Sequence, residues 1–243
     1  MTAATSFFDR AGARIPDTIF VENRWMEATL PKWTSRNVIF APPGVDTALF
    51  RPREGPVETG GDGYLLSVAR FDDPRKRVDL LFQAYAALRR RLASPPDLVL
   101  AGASGPPPDV WAEAEELGIR DSIEFRENLS TENLARLYRR AELFVLPSAE
   151  EGLGLVFLEA QASGIPVVAT RTKGAESAVE HGVTGFLSPV GDVDALVKSL
   201  ATLMADPEER RRMGVAARQR AEEHFSTEVT ASRFLEEYRR LLR

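Results

Sequence analysis

Short apolar runs alternate with amphipathic stretches along most of the chain after residue 63. The runs, such as YLLSV, LFVL and PVVA, show no apolar–polar alternation, which is typical of strands buried on both faces. The stretches between them repeat apolar residues at helical spacing, as at Val78, Leu81 and Tyr85. This alternation predicts an α/β domain with a doubly wound parallel sheet, in a Rossmann-like arrangement.

The pattern locates each element. The predicted strands are 64–68, 98–101, 123–125, 143–146, 166–169 and a last one at 185–187, with two earlier candidates at 17–21 and 37–40. The predicted helices are 76–92, 110–117, 131–140, 155–163, 176–180, 193–203, 207–224 and 227–242. In such folds ligands bind at the carboxyl ends of the strands, so the loops after the strands are where chemistry is expected.

The chain divides unevenly. Residues 1–50 hold two strand candidates and one helical stretch, too little for an independent core, and are predicted to be the closing elements of another domain. Residues 51–63 are rich in proline, glycine and charge and are predicted to be a linker. The Rossmann-like domain is placed at 64–225, and residues 226–243 are predicted to form a C-terminal helix.

Composition excludes several classes of protein. Without cysteine there is no disulfide scaffold and no zinc finger, and the two histidines, His181 and His224, are too far apart to suggest a metal centre. The net charge of -5 argues against a general nucleic-acid binder. No apolar run reaches the ~18 residues of a membrane span, and the first sixteen residues lack the apolar core of a signal peptide. We therefore expect a cytoplasmic protein with at most peripheral membrane contact.

The strongest candidate segment is 148–164, SAEEGLGLVFLEAQASG, which follows an apolar strand. Gly152 and Gly154 permit a tight loop, and a helix starting near Leu155 would offer free N–H groups to an anion. Glu159, one turn inside, can reach back with two oxygens suited to the adjacent hydroxyls of a ribose. The alternative is a glycine-broken turn with two solvated glutamates, and the residues alone leave both interpretations open.

A second segment, RFDDPRKR at 70–77, follows the strand at 64–68. Arg70 lies at the strand end, and Lys76 lies at a helix start, where a cation is unfavourable against the helix dipole unless an anion is present. The alternative is a charged surface turn in which the two aspartates pair with the arginines that follow them. Taken alone, this segment favours that alternative.

Together these segments resemble the C-terminal domain of glycosyltransferase family 4, GT-B-fold enzymes that transfer a sugar from a nucleotide-sugar donor. The resemblance runs from about residue 17 to the end of the chain. The family's E-x7-E pattern matches Glu151 and Glu159, and its diphosphate-binding Arg and Lys match Arg70 and Lys76. Further matches are the segments APPGVDT, FRP, GAE and HGVTGFLSPVGD, in the family's order.

The resemblance implies a role for each matched residue. Glu159 would bind the ribose hydroxyls, Arg70 and Lys76 would neutralise the diphosphate, and Glu151 would face the donor sugar and the reacting carbon. The backbone of the intervening loop would touch sugar and phosphate, at Gly152, Leu153, Gly154, Leu155 and Val156. The resemblance also implies retention of the anomeric configuration, no metal in the chemistry and no cofactor beyond the donor.

Other features set limits on this interpretation. The family usually has a glycine in the base-facing loop where this chain has Glu127, which leaves UDP-, GDP- and ADP-sugars all open as donors. The D-x-D pattern from Asp192 to Asp194 precedes an apolar-periodic helix and is predicted to be a helix cap rather than a metal site. The arginine runs 89–91 and 239–243 are interpreted as solvated helix faces or a domain contact. No G-x-G-x-x-G follows a strand, which weakens a dehydrogenase assignment.

A GT-B enzyme needs two Rossmann-like domains, and this chain encodes one. Three interpretations follow: a truncated form of an ordinary glycosyltransferase, one subunit of a split enzyme with a separate acceptor-binding subunit, or a nucleotide-sugar-binding module that has lost transfer. The acceptor is unknown. The last helix is expected to leave part of its apolar stripe without a partner, at Phe234, Leu235, Tyr238, Leu241 and Leu242.

Overall fold

A computed structural model describes residues 11–54 and 63–243. The strands are β1 (Thr18–Val21), β2 (Asn37–Phe40), β3 (Tyr64–Val68), β4 (Leu98–Gly102), β5 (Ile123–Glu127), β6 (Ala141–Leu146), β7 (Val167–Thr170) and β8 (Gly185–Ser188). Among the described residues, six of them form one parallel sheet in the order β5-β4-β3-β6-β7-β8. The order reverses between β3 and β6, which is the doubly wound arrangement, and the predicted fold class is confirmed.

Helices cover both faces of this sheet. They are α1 (Arg24–Thr29), α2 (Val78–Arg89), α3 (Pro108–Glu116), α4 (Thr131–Arg140), α5 (Leu155–Ala162), α6 (Lys173–Ala178), α7 (Val193–Ala205), α8 (Pro207–Phe225) and α9 (Thr227–Leu241). None of the described helices is both long enough and apolar enough to cross a bilayer.

Neighbouring residues of a buried strand point to opposite faces of the sheet and pack in different cores. Leu65 packs with Leu81 of α2 and Leu200 of α7, whereas Leu66 packs in the other cluster with helices α4 and α5. Both leucines are almost completely buried, at 1% and 0% exposed. Burial on both faces explains why these strands read as unbroken apolar runs in the sequence.

Three predicted helix starts were wrong: α3 begins at Pro108 rather than at 110, and each of the other two errors has a local cause. The helix predicted to open at Lys76 begins at Val78, after a short 3₁₀ helix (Pro74–Lys76), because Arg77 has left-handed backbone angles with φ of 50°. The helix predicted at 176–180 is α6, three residues earlier, because the Thr172 side chain accepts a hydrogen bond from the N–H of Ala175 and caps it there.

The N-terminal strands β1 and β2 form a parallel pair separate from the main sheet. The last helix, α9, returns to this pair: the Phe234 ring lies 4.4 Å from that of Phe20, between centroids. Other members of the predicted apolar stripe remain exposed, at Leu235, Tyr238, Leu241 and Leu242. The expected incomplete cover of α9 is therefore present. The domain boundaries stay predictions, and residues 55–62 of the linker and the first ten residues of the chain lie outside the described residues.

A buried carboxylate anchors α9 to the parallel pair. Glu237 is 4% exposed and accepts hydrogen bonds from the side chains of Arg240, Thr18 and Asn37. The Arg240 guanidinium, followed by Thr18 and Asn37, lowers the pKa of Glu237 to about 2. Helix α9 therefore depends on an ionised carboxylate for this part of its contact.

We expect Glu237→Gln to lower the melting temperature near pH 7, because the amide cannot accept the same set of charge-assisted hydrogen bonds. The pKa of Glu237 is lower in the folded chain than in the unfolded chain, so its contribution is complete above about pH 4.5 and disappears as the pH falls towards 2. Thermal unfolding of the parent and Glu237→Gln should therefore converge across that window. A difference between them that does not change with pH would contradict this account.

Candidate functional site

The two loops that follow β3 and β6 meet where the strand order reverses. The backbone N–H of Ala149, after β6, donates to the carbonyl of Arg75, after β3, at 2.7 Å. From the β7 side, the Thr170 hydroxyl donates to the carbonyl of Ser148. These contacts draw the loops together at the carboxyl ends of β3, β6 and β7, the edge at which open α/β sheets have a ligand-binding crevice.

An ion pair crosses this crevice. The Lys76 ammonium lies 2.7 Å from Oε1 of Glu151, and the Ser148 hydroxyl donates to the same oxygen at 2.7 Å. The Lys76 and Glu151 side chains are only 18% and 8% exposed. The fold thus brings together two predicted site residues from separate loops, and Glu151 is not a solvated glutamate.

The turn after β3 is partly a self-paired surface turn. The Arg75 guanidinium binds Asp73, with Nη2 at 2.7 Å from Oδ2, and lowers the pKa of that carboxyl well below its usual range. Arg77 binds Asp79, inside α2, rather than an aspartate of the turn. The surface-turn alternative is therefore right for Arg75 and wrong for Arg77. The Lys76 side chain pairs with Glu151 of the other loop instead of with a residue of this turn.

Arg70 lies at the end of β3, as predicted, but it is loosely held. Its side chain is 67% exposed, and its guanidinium is 3.7 Å from Asp73, whose carboxylate is already engaged by Arg75. Arg70 is therefore free to turn towards an anion in the crevice without breaking a strong contact. Arg70 makes no hydrogen bond or ion pair with Lys76 or Glu151.

The glycine loop between β6 and α5 is held from two sides. Gly154 has φ of 81°, which favours glycine, and starts α5. The carbonyl of Gly152 accepts a hydrogen bond from the Asn23 side chain at 2.9 Å. The N–H of Gly174, at the start of α6, donates to the carbonyl of Glu151 at 3.2 Å. A side chain at Gly174 would have its Cβ 2.7 Å from that carbonyl oxygen, so a glycine is needed for this approach.

Glu159 lies one turn inside α5, as predicted, and is half-buried. Its Oε2 accepts a hydrogen bond from the Tyr138 hydroxyl at 2.8 Å, and burial raises the pKa of Glu159. The alternative of two solvated glutamates is therefore wrong for Glu159 too. Of the other predicted loop residues, Leu153 is buried, so its backbone alone can face the crevice, whereas Leu155 is exposed and Val156 is half-buried.

Two residues that hold the site were missed in the sequence. Asn23 shows one readable signal, because asparagine before a helix is a common N-cap, and its Oδ1 does accept from the N–H of Met26 at 2.9 Å. Its contact with Gly152 joins residues far apart in the chain and leaves no local pattern. Tyr138 fell inside the predicted helix at 131–140 and was not identified as a site residue.

Asp192 and Glu127 are two other residues singled out in the sequence. Asp192 caps α7, accepting from the N–H of Ala195 at 2.9 Å, so the helix-cap prediction is confirmed. Glu127 ends β5 with an exposed side chain, and Asn128 after it has φ of 49°. In the described part of the chain, no group of three or more His, Asp or Glu side chains is arranged to hold a metal ion.

Comparison with known proteins gives a consistent family. The family model described as "Glycosyl transferases group 1" matches residues 52–220. A mannosyltransferase of Mycolicibacterium smegmatis, named as GDP-mannose-dependent and acting on phosphatidylinositol monomannoside, is 36% identical over 80% of this chain and 54% of its own length. A D-inositol 3-phosphate glycosyltransferase of Kribbella flavida is 38% identical over 81% of this chain and 49% of its own. The chain thus spans about half the length of these curated relatives.

Solved structures share the fold. Sucrose-phosphate synthase from Thermosynechococcus elongatus superposes with a TM-score of 0.85 at 28% identity, covering 99% of this chain and 62% of that one. The Anabaena protein HepE, solved with UDP and glucose, has a TM-score of 0.79 at 19% identity, over 98% of this chain and 67% of its own. At 19% identity, the similarity to HepE shows a shared fold only.

We expect Lys76→Met to destabilise the chain by about 1–3 kcal/mol, because it leaves the buried Glu151 carboxylate without its counter-charge. Adding Glu151→Gln should restore part of that loss, since the neutral amide no longer needs a cation. Urea unfolding of both single variants and the double variant measures the coupling. Arg211→Met, which breaks the exposed pair with Glu208, is the matched control and should change stability by no more than ~0.5 kcal/mol. Additive effects of Lys76→Met and Glu151→Gln would contradict the pairing.

Proposed function

The chain belongs to the group 1 glycosyl transferases, and from that membership we propose that it binds a nucleotide-sugar donor in the crevice between β3 and β6 and serves as the donor half of a glycosyltransferase. The observation that carries the proposal is the Lys76–Glu151 contact across the crevice. It supports the proposal because it sets a cation and a carboxylate side by side at the edge of the sheet where nucleotides bind in such folds. The same edge carries the start of α5 and the half-buried Glu159.

Arg70 and Lys76 are proposed to bind the diphosphate. Transfer breaks the bond between the anomeric carbon and a diphosphate oxygen, so negative charge grows on the departing nucleoside diphosphate. Fixed cations near that oxygen stabilise the transition state more than the ground state, which is what acceleration requires. Lys76 is already held by Glu151, so we propose that it binds the diphosphate from a fixed position. Arg70 is loosely held, so we propose that its side chain moves to the diphosphate when the donor binds.

Glu151 and Glu159 are proposed to bind the two sugars of the donor. Glu159 is assigned to the ribose hydroxyls, since a carboxylate can accept two O–H groups at once. Glu151 is assigned to the hydroxyls of the transferred sugar, with the backbone from Gly152 to Val156 lying beside sugar and phosphate. As in the family that the sequence resembles, we propose retention of the anomeric configuration and chemistry that needs no metal.

The donor base is open to test. The M. smegmatis relative is named as GDP-mannose-dependent, which makes a GDP-sugar the first candidate, with UDP- and ADP-sugars beside it. Glu127, at the end of β5, is the residue that we expect to influence the choice of base. We propose a cytoplasmic location for this activity.

We expect calorimetry to detect binding of at least one of UDP, GDP and ADP, or of its sugar conjugates, at millimolar concentration or below. Arg70→Ala and Lys76→Ala should each weaken the diphosphate by about tenfold or more, because hydrogen bonds to charged groups are worth about 1.5–3 kcal/mol each. Binding of the corresponding nucleoside should change much less. The diphosphate effect should shrink at high salt, since it is electrostatic.

The matched control is Lys198→Ala, which removes an exposed lysine of α7, a helix that follows the edge strand β8. It should leave both affinities unchanged. If no nucleotide binds, the donor assignment fails. If Arg70→Ala and Lys76→Ala weaken nucleoside and diphosphate equally, their role is structural and the surface-turn interpretation returns.

We propose that the acceptor binds outside the crevice between β3 and β6. The chain covers 54% and 49% of the two curated relatives, so the remaining part of those proteins has no counterpart here. We infer that the acceptor wall is supplied by another part of the protein or by a separate subunit. The exposed end of α9, at Leu235, Leu241 and Leu242, supports such a contact. A nucleotide-sugar-binding module without transfer activity is the alternative.

We expect residues 1–243 alone to bind donor without efficient transfer. Holding two reactants in register supplies about 7–11 kcal/mol of a barrier, and that requires both walls of a cleft. The measurement is transfer from labelled UDP-, GDP- and ADP-sugars by the purified chain, with and without an added acceptor-binding half. Robust multiple turnover by the monomer alone would show that the acceptor binds on the described surface.

A further inference from the structure

A buried tyrosine hydroxyl is directed at the carboxylate of Glu159. Tyr138, on α4, is 0% exposed, and its hydroxyl donates to Oε2 of Glu159 at 2.8 Å, with the carbonyl of Val156 as a more distant second acceptor at 3.3 Å. Its ring stacks on Phe144 of β6, with centroids 5.9 Å apart, and meets the edge of Phe50 at 5.7 Å. The hydroxyl is therefore fixed by packing before any ligand arrives.

Tyr138 is the only side-chain donor recorded to this carboxylate in residues 11–54 and 63–243. Burial, with Glu159 beside it, raises the pKa of Tyr138 well above its ordinary value. The phenol is therefore protonated at neutral pH and is a hydrogen-bond donor there. A carboxylate has about four acceptor sites on its two oxygens, so both sites of Oε1 and one of Oε2 remain for the two hydroxyls of a ligand.

We propose that Tyr138 is a positioning residue for ligand binding: its hydroxyl holds one oxygen of Glu159 and thereby orients the carboxylate for the two adjacent hydroxyls of a ribose. This inference rests on the proposed role of Glu159. Tyr138 itself does not touch the donor, because its side chain is completely buried.

The hydroxyl acts on orientation and on ionisation. A carboxylate on a long side chain has several rotamers, and fixing one before binding avoids part of the entropic cost of ordering it. An ionised carboxylate only accepts hydrogen bonds, which suits two donating hydroxyls, whereas the protonated form must donate one itself. Burial raises the pKa of Glu159 and the Tyr138 hydrogen bond opposes that rise. Loss of the hydroxyl therefore makes Glu159 easier to protonate.

The test compares UDP, GDP and ADP, each with its 2′,3′-dideoxy analogue, by calorimetry. The measured quantity is the ribose preference, the ratio of the two affinities, in which effects on base and phosphate cancel. We expect Tyr138→Phe to lower this preference by about tenfold while leaving the dideoxy affinity unchanged. In a Glu159→Ala background, Tyr138→Phe should have no further effect on the ratio. The matched control is Tyr64→Phe, which removes another buried hydroxyl, one that donates to the carbonyl of Leu137 at 2.7 Å.

A pH series separates positioning from simple packing. The preference should fall as the pH is lowered through the pKa of Glu159, and in Tyr138→Phe this fall should occur at higher pH. Phe50→Leu provides a second variant that keeps the hydroxyl and removes the buried aromatic ring that packs in a T-shaped contact with Tyr138, and it should lose part of the preference.

Three results would overturn the proposal, and they differ in what else they overturn. If the parent shows no ribose preference, the proposed role of Glu159 fails together with that of Tyr138. If Glu159→Ala abolishes the preference but Tyr138→Phe does not change it, the role of Tyr138 fails alone. If Tyr138→Phe weakens ribose and dideoxy ligands equally, or cannot fold while Phe50→Leu keeps the full preference, Tyr138 is a packing residue.

Discussion

The candidate site depends on one interaction, the ion pair between Lys76 and Glu151 across the point where the strand order reverses. At this point the loops after β3 and β6 are joined by the backbone hydrogen bond from Ala149 to Arg75 and by this one pair of charged side chains. Two charges in so sheltered a place would each be costly alone, and each satisfies the other. The pair therefore fixes the turn after β3 relative to the glycine loop and keeps a cation at the crevice. An anionic ligand that enters has to compete with Glu151 for Lys76.

The glycine loop owes its shape to elements from distant parts of the chain. Asn23 caps α1 with its side-chain oxygen and holds Gly152 with its side-chain nitrogen. Gly174 lets the start of α6 approach the same loop from the other side. One buried asparagine thus connects the segment around the β1–β2 pair to the loop that we propose to bind the donor. Helix α1 also contacts α6, because the N–H of Arg24 donates to the Ser177 hydroxyl at 3.0 Å.

The sequence was most informative for features that depend on residues close together in the chain, such as buried strands and helix caps. Strands β3, β4, β6 and β7 were readable because burial on both faces leaves them mainly apolar, and Asp192 was readable as a cap because capping needs one side chain and its own helix. The start of α2 was not, because Arg77 adopts a left-handed conformation that periodicity cannot reveal. Lys76 and Glu151 were each identified from their loops and a family resemblance. Their direct contact, like that of Tyr138 with Glu159, joins separate segments and required the fold.

The two parts of the chain differ in how far they can stand alone. The main sheet has a core on each face, and one of these cores also includes Phe40, Val45 and Phe50 from the N-terminal segment. The β1–β2 pair has only two strands among the described residues, and parallel strands are rarely stable without cover on both faces. Its cover comes from α9, through Phe234 against Phe20 and through the buried carboxylate of Glu237. Because α9 follows α8 directly, the pair is tied to the main domain by the last helix as well as by Asn23.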